Sequence, residues 1–256
     1  MAENGSQSAP NEQPVWEHLE ELRTRLVRVT IALLITTIIA YQYAEKLVRW
    51  LEAPLLKALP PDQAFLYFTG IADKFFAYVK VSFVAGLAIA SPYLLMQLWG
   101  FVAPALEQKE RKLVVPFTVF GTLALVAGIA FGYFVVLPTG YHFLIHFGSP
   151  HEKPLITMSE YFSLTLKLLL ALGLVFEVPV VMGLLARFGV IQADTLRRVR
   201  KQAIVVNAIV AAVLTPTPDA FTMMLVLVPL LLLYELGIAV VAWMEKAGRI
   251  DEPQPA

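Results

Sequence analysis

The chain has 256 residues, 58% of them hydrophobic and only 16% charged, with a mean hydropathy of +0.67. A soluble domain of that size does not carry so little charge, so the composition points to a polytopic membrane protein. Acids and bases balance to zero net charge and there is no cysteine, which excludes a global attraction to nucleic acid and all disulfide, thiol and Cys-metal chemistry.

Residues 1–15 are polar and lack Lys and Arg, so they have no basic signal-peptide region and are expected to be a disordered cytoplasmic tail. The segment His18-Leu19-Glu20-Glu21-Leu22-Arg23-Thr24-Arg25-Leu26 then reads as a short charged helix. Leu19, Leu22, Leu26 and Val29 form its apolar stripe, and Glu17, Glu20 and Glu21 project elsewhere. It runs into the first membrane helix, Leu26 to Ala44, whose only charge is Arg28 and which is too long for a cleaved signal. Residues 45–74 are expected to form a structured external loop, because the prolines of Ala53-Pro54-Leu55-Leu56-Lys57-Ala58-Leu59-Pro60-Pro61 interrupt any long helix and leave short amphipathic turns.

The second membrane helix spans about Phe75 to Val102, with a kink predicted at Pro92 and Lys80 near its outer end as a snorkelling anchor. A short charged loop, Ala103 to Val115, leads into the third helix, Val114 to about Pro138. There Gly128 and Gly132 make a GxxxG face for close approach of another helix of the same chain. Residues 139–160 form a second external loop with His142, His146, His151 and Glu152. No third ligand is fixed in geometry and no HExxH pattern is present, so no metal site is expected.

The fourth helix, Tyr161 to Ala186, contains Glu177 two residues before Pro179. An acid that deep costs ~2.5 to 3.5 kcal/mol on insertion scales, so it must face protein or water. Pro179 also strips the carbonyl of Val175 of its helical partner, which predicts a kinked polar pocket in mid-membrane. Lys167, near the outer end, reads as a second snorkelling anchor. Arg187 to Lys201 is the most basic loop. The fifth helix, Gln202 to Leu214, spans only ~20 Å and is either set shallow or surrounded by a thinned bilayer. A tip, Thr215-Pro216-Thr217-Pro218-Asp219, in which Asp219 can cap the next helix, precedes the sixth, Ala220 to Trp243, with Glu235 inside it.

The fold class is therefore all-α, with six transmembrane helices in one domain over residues 16–246 and a short tail at 247–256. With the N-terminus inside, the inner segments hold thirteen Lys and Arg and the outer loops five, with Lys80 and Lys167 in the spans. That asymmetry places both termini in the cytoplasm.

The chain has no GxSxG elbow, GxGxxG, P-loop or intramembrane aspartate pair, so no enzyme and no cofactor are expected. Recognition remains. Glu20 and Glu21 before the first membrane helix lie near Glu107 and Glu110 after the second if those helices are neighbours. Such a carboxylate cluster binds guanidinium groups in a way Lys cannot reproduce. The ordinary alternative is pairing within each helix, Glu21 with Arg25 and Glu107 with Arg111, at ~0.2 to 0.5 kcal/mol apiece.

The segment His18 to Leu26, Ala53-Pro54-Leu55, Phe101-Val102-Ala103-Pro104-Ala105-Leu106 through Glu110-Arg111, Phe131-Gly132-Tyr133-Phe134, Phe176-Glu177-Val178-Pro179 and Leu214-Thr215-Pro216-Thr217-Pro218-Asp219 together resemble the signature segments of the TatC family, the multispanning subunit of the twin-arginine protein translocase. Each alone is weak; the ordered set, covering about residues 16 to 246, is specific. The resemblance implies a receptor in the bacterial plasma membrane for folded cargo proteins whose signal peptides carry an Arg-Arg pair. It implies that Glu21 and Glu110 receive those arginines, with Arg23 and Phe101 shaping the site. Glu177 would meet single-span partners and the inserted signal, and Pro54, Phe75, Pro92, Tyr133 and Asp219 would serve structure or transport. It further implies TatA-like and TatB-like single-span subunits docking on helices five and six, homo-oligomers within a larger complex in contact with membrane lipid, and use of the proton-motive force without a nucleotide. One departure is Met223, where some members place a Gln.

A proton-coupled small-solute carrier, with Glu177 and Glu235 titrating during alternating access, is the competing reading. The chain lacks the repeat halves and matched helix interruptions that carriers show.

Overall fold

The computed structural model describes residues 13–60, 65–102, 114–147, 155–215 and 219–250. Those residues are helical apart from short connections, with a single parallel β-bridge between Tyr67 and Thr157. Helix α1 (Gln13–Gln42) joins the charged segment to the first apolar run without a break. Helix α3 (Asp73–Val102) packs along it. The approach is close: a Cβ on Gly86 would lie 2.7 Å from the backbone nitrogen of Thr37. The opposite face of α1, with Leu26, Leu34 and Ile38, stays exposed, as a lipid-facing helix requires.

The connection expected to be mostly loop contains a helix, α2 (Ala44–Ala58), with Pro54 inside it. Pro54 gives no N–H to the carbonyl of Trp50, four residues back. The hydroxyl of Tyr133 donates to that carbonyl at 2.7 Å, and the Tyr161 hydroxyl donates to the next one, Leu51. The helix survives its proline because the Tyr133 hydroxyl replaces the missing donor, and because Val48, Leu51 and Leu55 are buried on one face. Pro92 is handled in the same way: Ser91 donates at 2.8 Å to the carbonyl of Ala88, the one Pro92 leaves unpaired, and α3 continues through it.

Helix α4 (Val114–Phe131) lies on α6 (Met158–Phe176). Gly128 and Gly132 are at that contact, where a Cβ would come within 2.6 Å of the Leu172 carbonyl and 2.8 Å of Leu169, respectively. The GxxxG face is thus an intramolecular one. A π-helical turn (Gly132–Val136) follows, and α5 (Leu137–His146) carries the rod beyond the Pro138 at which it was expected to end. Pro138 sits in the first turn of α5, where a missing N–H is tolerated.

The fourth membrane helix is divided at Glu177 into α6 and α7 (Val178–Arg187), with Pro179 in the first turn of the second part. The basic loop contains a short helix, α8 (Ala193–Arg198). It is tied to the last helix, α10 (Ala220–Ile250), by Glu245, which accepts from the Ala193 amide at 2.8 Å, and by Tyr234, which donates to the Leu196 carbonyl at 2.9 Å. These contacts explain why α10 runs past Trp243.

Five segments are long and apolar enough to cross a membrane: Leu19–Gln42, Asp73–Phe101, Val114–His146, Met158–Arg187 and Ala220–Lys246. The sixth, α9 (Arg200–Leu214), has 15 residues, about 22 Å at 1.5 Å per residue. Its inner end is pinned by an Arg200–Glu235 ion pair of 2.7 Å, so the polar boundary on this side of the molecule is drawn inward. The main core lies in the outer half, where Tyr133, Tyr141, Tyr161, Phe162, Leu169 and Val226 are buried together, and a smaller cluster of Met182, Ala193, Ile238 and Val241 holds the inner end.

Candidate functional site

The inner ends of α1 and α3 meet through one arginine. Arg25 donates from Nε and Nη2 to the same carboxylate oxygen of Glu21, at 2.9 and 2.7 Å. Its remaining nitrogen, Nη1, reaches 3.2 Å to both the backbone carbonyl and the side-chain oxygen of Gln97 on α3. Gly100 makes room for it, since a Cβ there would sit 2.6 Å from that nitrogen. The next residue is Phe101, half-buried at the end of α3. A partly buried carboxylate, a guanidinium and an aromatic ring are thereby fixed at one membrane edge. Arg23 is exposed on α1. Glu110, together with Glu107 and Arg111, lies outside the described residues.

The in-helix Glu21–Arg25 pairing foreseen as the ordinary alternative is present, but it is also a bridge between helices. Sequence spacing did not single out Gln97 or Gly100. The available signal was Gln97 itself, the one amide side chain in α3, set three residues before a glycine; an amide in an apolar span needs a partner, and its side chain is buried.

Glu177 sits ten residues before Arg187, about 15 Å along the axis and so near mid-membrane. Its carboxyl faces α4 and α3: a Cβ on Gly121 would come within 3.0 Å of Oε2 and of the Leu95 side chain. The residue is only 7% exposed, and neither oxygen finds a hydrogen-bond partner among the described residues. Among the described residues, a buried carboxyl in that state is unusual.

At the outer end, Tyr133 joins its hydrogen bond to Trp50 with ring stacking on the same residue, centroids 3.8 Å apart. Pro54 is buried below them. Phe75 is exposed one turn into α3, edge-on to Phe76, and the start of that helix is held by Asp73, which accepts from the amides of Thr69 and Gly70. Pro92 is exposed on α3. Asp219 accepts from the Thr222 amide at 2.7 Å and so caps α10; Met223 follows, partly buried against the core. His142 and His146 stack with centroids 4.2 Å apart, and no cluster able to hold a metal occurs among the described residues.

Comparison with known proteins agrees with this architecture. Residues 17–229 match the family model described as Sec-independent protein translocase protein (TatC). A protein of that description from Desulforapulum autotrophicum is 39% identical over 243 residues, covering 95% of this chain and 89% of the relative. One from Escherichia coli is 36% identical over 231 residues, covering 90% and 89%. Among solved structures, a crystal structure of the twin arginine translocase receptor TatC superimposes with a TM-score of 0.74 at 36% identity, over 88% of this chain and 98% of that one. A second crystal structure of that receptor, in DDM, gives a TM-score of 0.76. With its multi-pass helical fold, its paired inner carboxylate and its buried mid-membrane acid, the chain belongs to the TatC family and is a non-enzymatic membrane subunit of a protein translocase.

Proposed function

We propose that this chain is the receptor and core subunit of a twin-arginine translocase, taking up Arg-Arg signal peptides of folded proteins at its cytoplasmic face. The observation that carries the reading is the Arg25 guanidinium held on Glu21 and on Gln97 at the end of α3. That surface already presents a carboxylate oriented to hold arginine, and the ring of Phe101 at the same end of α3 can accept a guanidinium face or an apolar signal residue. Glu21 and Glu110 receive the two arginines, and Arg23 and Phe101 shape the approach.

Glu177 then serves the second stage. A buried carboxyl with no hydrogen-bond partner among the described residues is a ready contact for a polar group on an inserted signal or on a single-span subunit. The apolar outer faces of α9 and α10, including Ile204, Val205, Ile209, Val228 and Leu232, offer lipid-exposed surface for TatA-like and TatB-like helices and for other copies of the chain. The carrier reading needs two titrating intramembrane acids, and Glu235 is instead tied to Arg200.

The test is photo-crosslinking of a synthetic twin-Arg signal peptide to the full chain in membrane vesicles. Charge reversal at Glu21 or at Glu110 abolishes the crosslink if the assignment holds; undiminished crosslinking to a folded, inserted variant overturns it.

A further inference from the structure

We propose that Lys80, Ser163 and Lys167 form a binding site for the phosphate of an anionic phospholipid in the outer leaflet. Lys80 lies seven residues after Asp73, the first residue of α3, and Lys167 nine residues after Met158, the first of α6. Both helices run inward from the outer surface, so the two positions are about 10 and 14 Å inside their outer ends. A lone anchor at such depth extends toward the headgroups. Lys80 does something else: it reaches across to the neighbouring helix and donates to the Ser163 hydroxyl at 2.9 Å.

Ser163 and Lys167 are four residues apart, stacked on one face of α6. Long helical side chains lean toward the helix N-terminus, which here carries Lys167 outward to the level of Ser163 and Lys80. Both lysines are exposed, and among the described residues neither forms a salt bridge, with Asp73 at the head of α3 acting on Lys80 only at longer range. Two cations outside any salt bridge therefore lie on one face, Lys80 bonded to Ser163 and Lys167 set one turn from it on α6, on a surface that lipid covers. A cationic pair within the hydrocarbon boundary draws a counter-charge to itself, and phosphate oxygens accept from two ammonium groups and a hydroxyl together. A net-anionic lipid suits the site better than a zwitterionic one, whose own amine competes for the phosphate.

The site is independent of signal-peptide recognition, and its test does not use a signal. The full chain is purified in detergent and titrated, with native mass spectrometry as the readout, with phosphatidylglycerol, phosphatidylcholine and inorganic phosphate. Phosphatidylglycerol is expected to bind more tightly than phosphatidylcholine. The preference should fall about fivefold for Lys80→Gln or Lys167→Gln and about 30-fold for both. Lys46→Gln, on the exposed face of α2, serves as the control and leaves it unchanged. Equal binding of the two lipids, or a preference indifferent to both lysines in variants with an unchanged unfolding temperature, overturns the proposal. Lysine-dependent binding of inorganic phosphate that displaces the lipid also overturns it, by assigning the site to a soluble anion. Should the double variant not fold, the two single variants and the lipid comparison on the unaltered chain decide.

Discussion

Tyr133 hydrogen-bonds the very carbonyl that Pro54 leaves without a donor. The two residues lie on different helices, yet the Tyr133 hydroxyl reaches the Trp50 carbonyl at 2.7 Å while its ring stacks on the Trp50 ring. The proline creates an orphan acceptor in α2 and the tyrosine, placed by the π-helical turn, satisfies it. The outer helix is thereby fastened to the membrane domain.

This relationship predicts non-additivity. Tyr133→Phe keeps the ring and removes a part-buried hydrogen bond, at a cost of about 1 kcal/mol. Pro54→Ala restores the backbone donor, so in that background the tyrosine hydroxyl matters less. Unfolding of the four variants of the cycle in detergent should show the double variant losing less than the sum of the singles; strict additivity would mean the pair is not coupled.

Gly121 sets the position of Glu177. A methyl group there would press on Oε2 and on Leu95 at 3.0 Å, so Gly121→Ala should displace the carboxyl while leaving its chemistry intact. Co-purification of single-span partners is expected to fall several-fold, as is expected for Glu177→Ala, while twin-Arg crosslinking is spared. The reverse pattern would assign Glu177 to the surface site.

Helix contact at Gly128 should be intolerant of any side chain. Gly128→Ala places a Cβ 2.6 Å from the Leu172 carbonyl, and backbone cannot yield as a flexible side chain does. A loss of about 1 to 3 kcal/mol is expected, visible as a lowered unfolding temperature; an unchanged value would mean α4 and α6 separate freely.

Glu52, on α2 outside the spans, gives a pH signature. Burial pushes its carboxyl above the usual range, against the opposing pull of Arg49 and Lys74. A raised carboxyl pKa means the contribution to stability is complete below the unfolded-state value, about 4.3, and is lost as pH rises through the folded-state value. Glu52→Gln should therefore flatten the fall in unfolding temperature from pH 4 upward. A variant whose profile parallels the natural chain would remove Glu52 as a cause.

Much of the fold was legible because the bilayer enforces it: long apolar runs gave the spans. What was not legible depended on distant partners. Pro54 reads as a helix breaker until Tyr133, some 80 residues away, supplies the missing donor and Tyr161 adds a second tie at the Leu51 carbonyl. Helix α8 and the inner extension of α10 need each other, through Glu245 and Tyr234, and neither has a local signal strong enough to announce it. At the inner site, the Glu21–Arg25 spacing showed a helix pair, but its link to α3 rests on Gln97 and the space left by Gly100, a tertiary fact invisible in either segment alone.

Arg25 is the positioning residue of the inner site. Arg25→Gln is expected to weaken signal-peptide binding by roughly tenfold, and Arg25→Lys should not restore it, because a single ammonium cannot serve Glu21 and Gln97 at once in the geometry of a guanidinium fork. Full rescue by lysine would reduce Arg25 to a local charge.

The most direct measurement is the affinity of the full chain in vesicles for a twin-Arg signal peptide and its Lys-Lys counterpart, with and without Glu21→Gln. The account predicts a strong preference for arginine that collapses toward the Lys-Lys value in the variant, with the fold intact. An Arg-Arg preference undiminished by Glu21→Gln would contradict it.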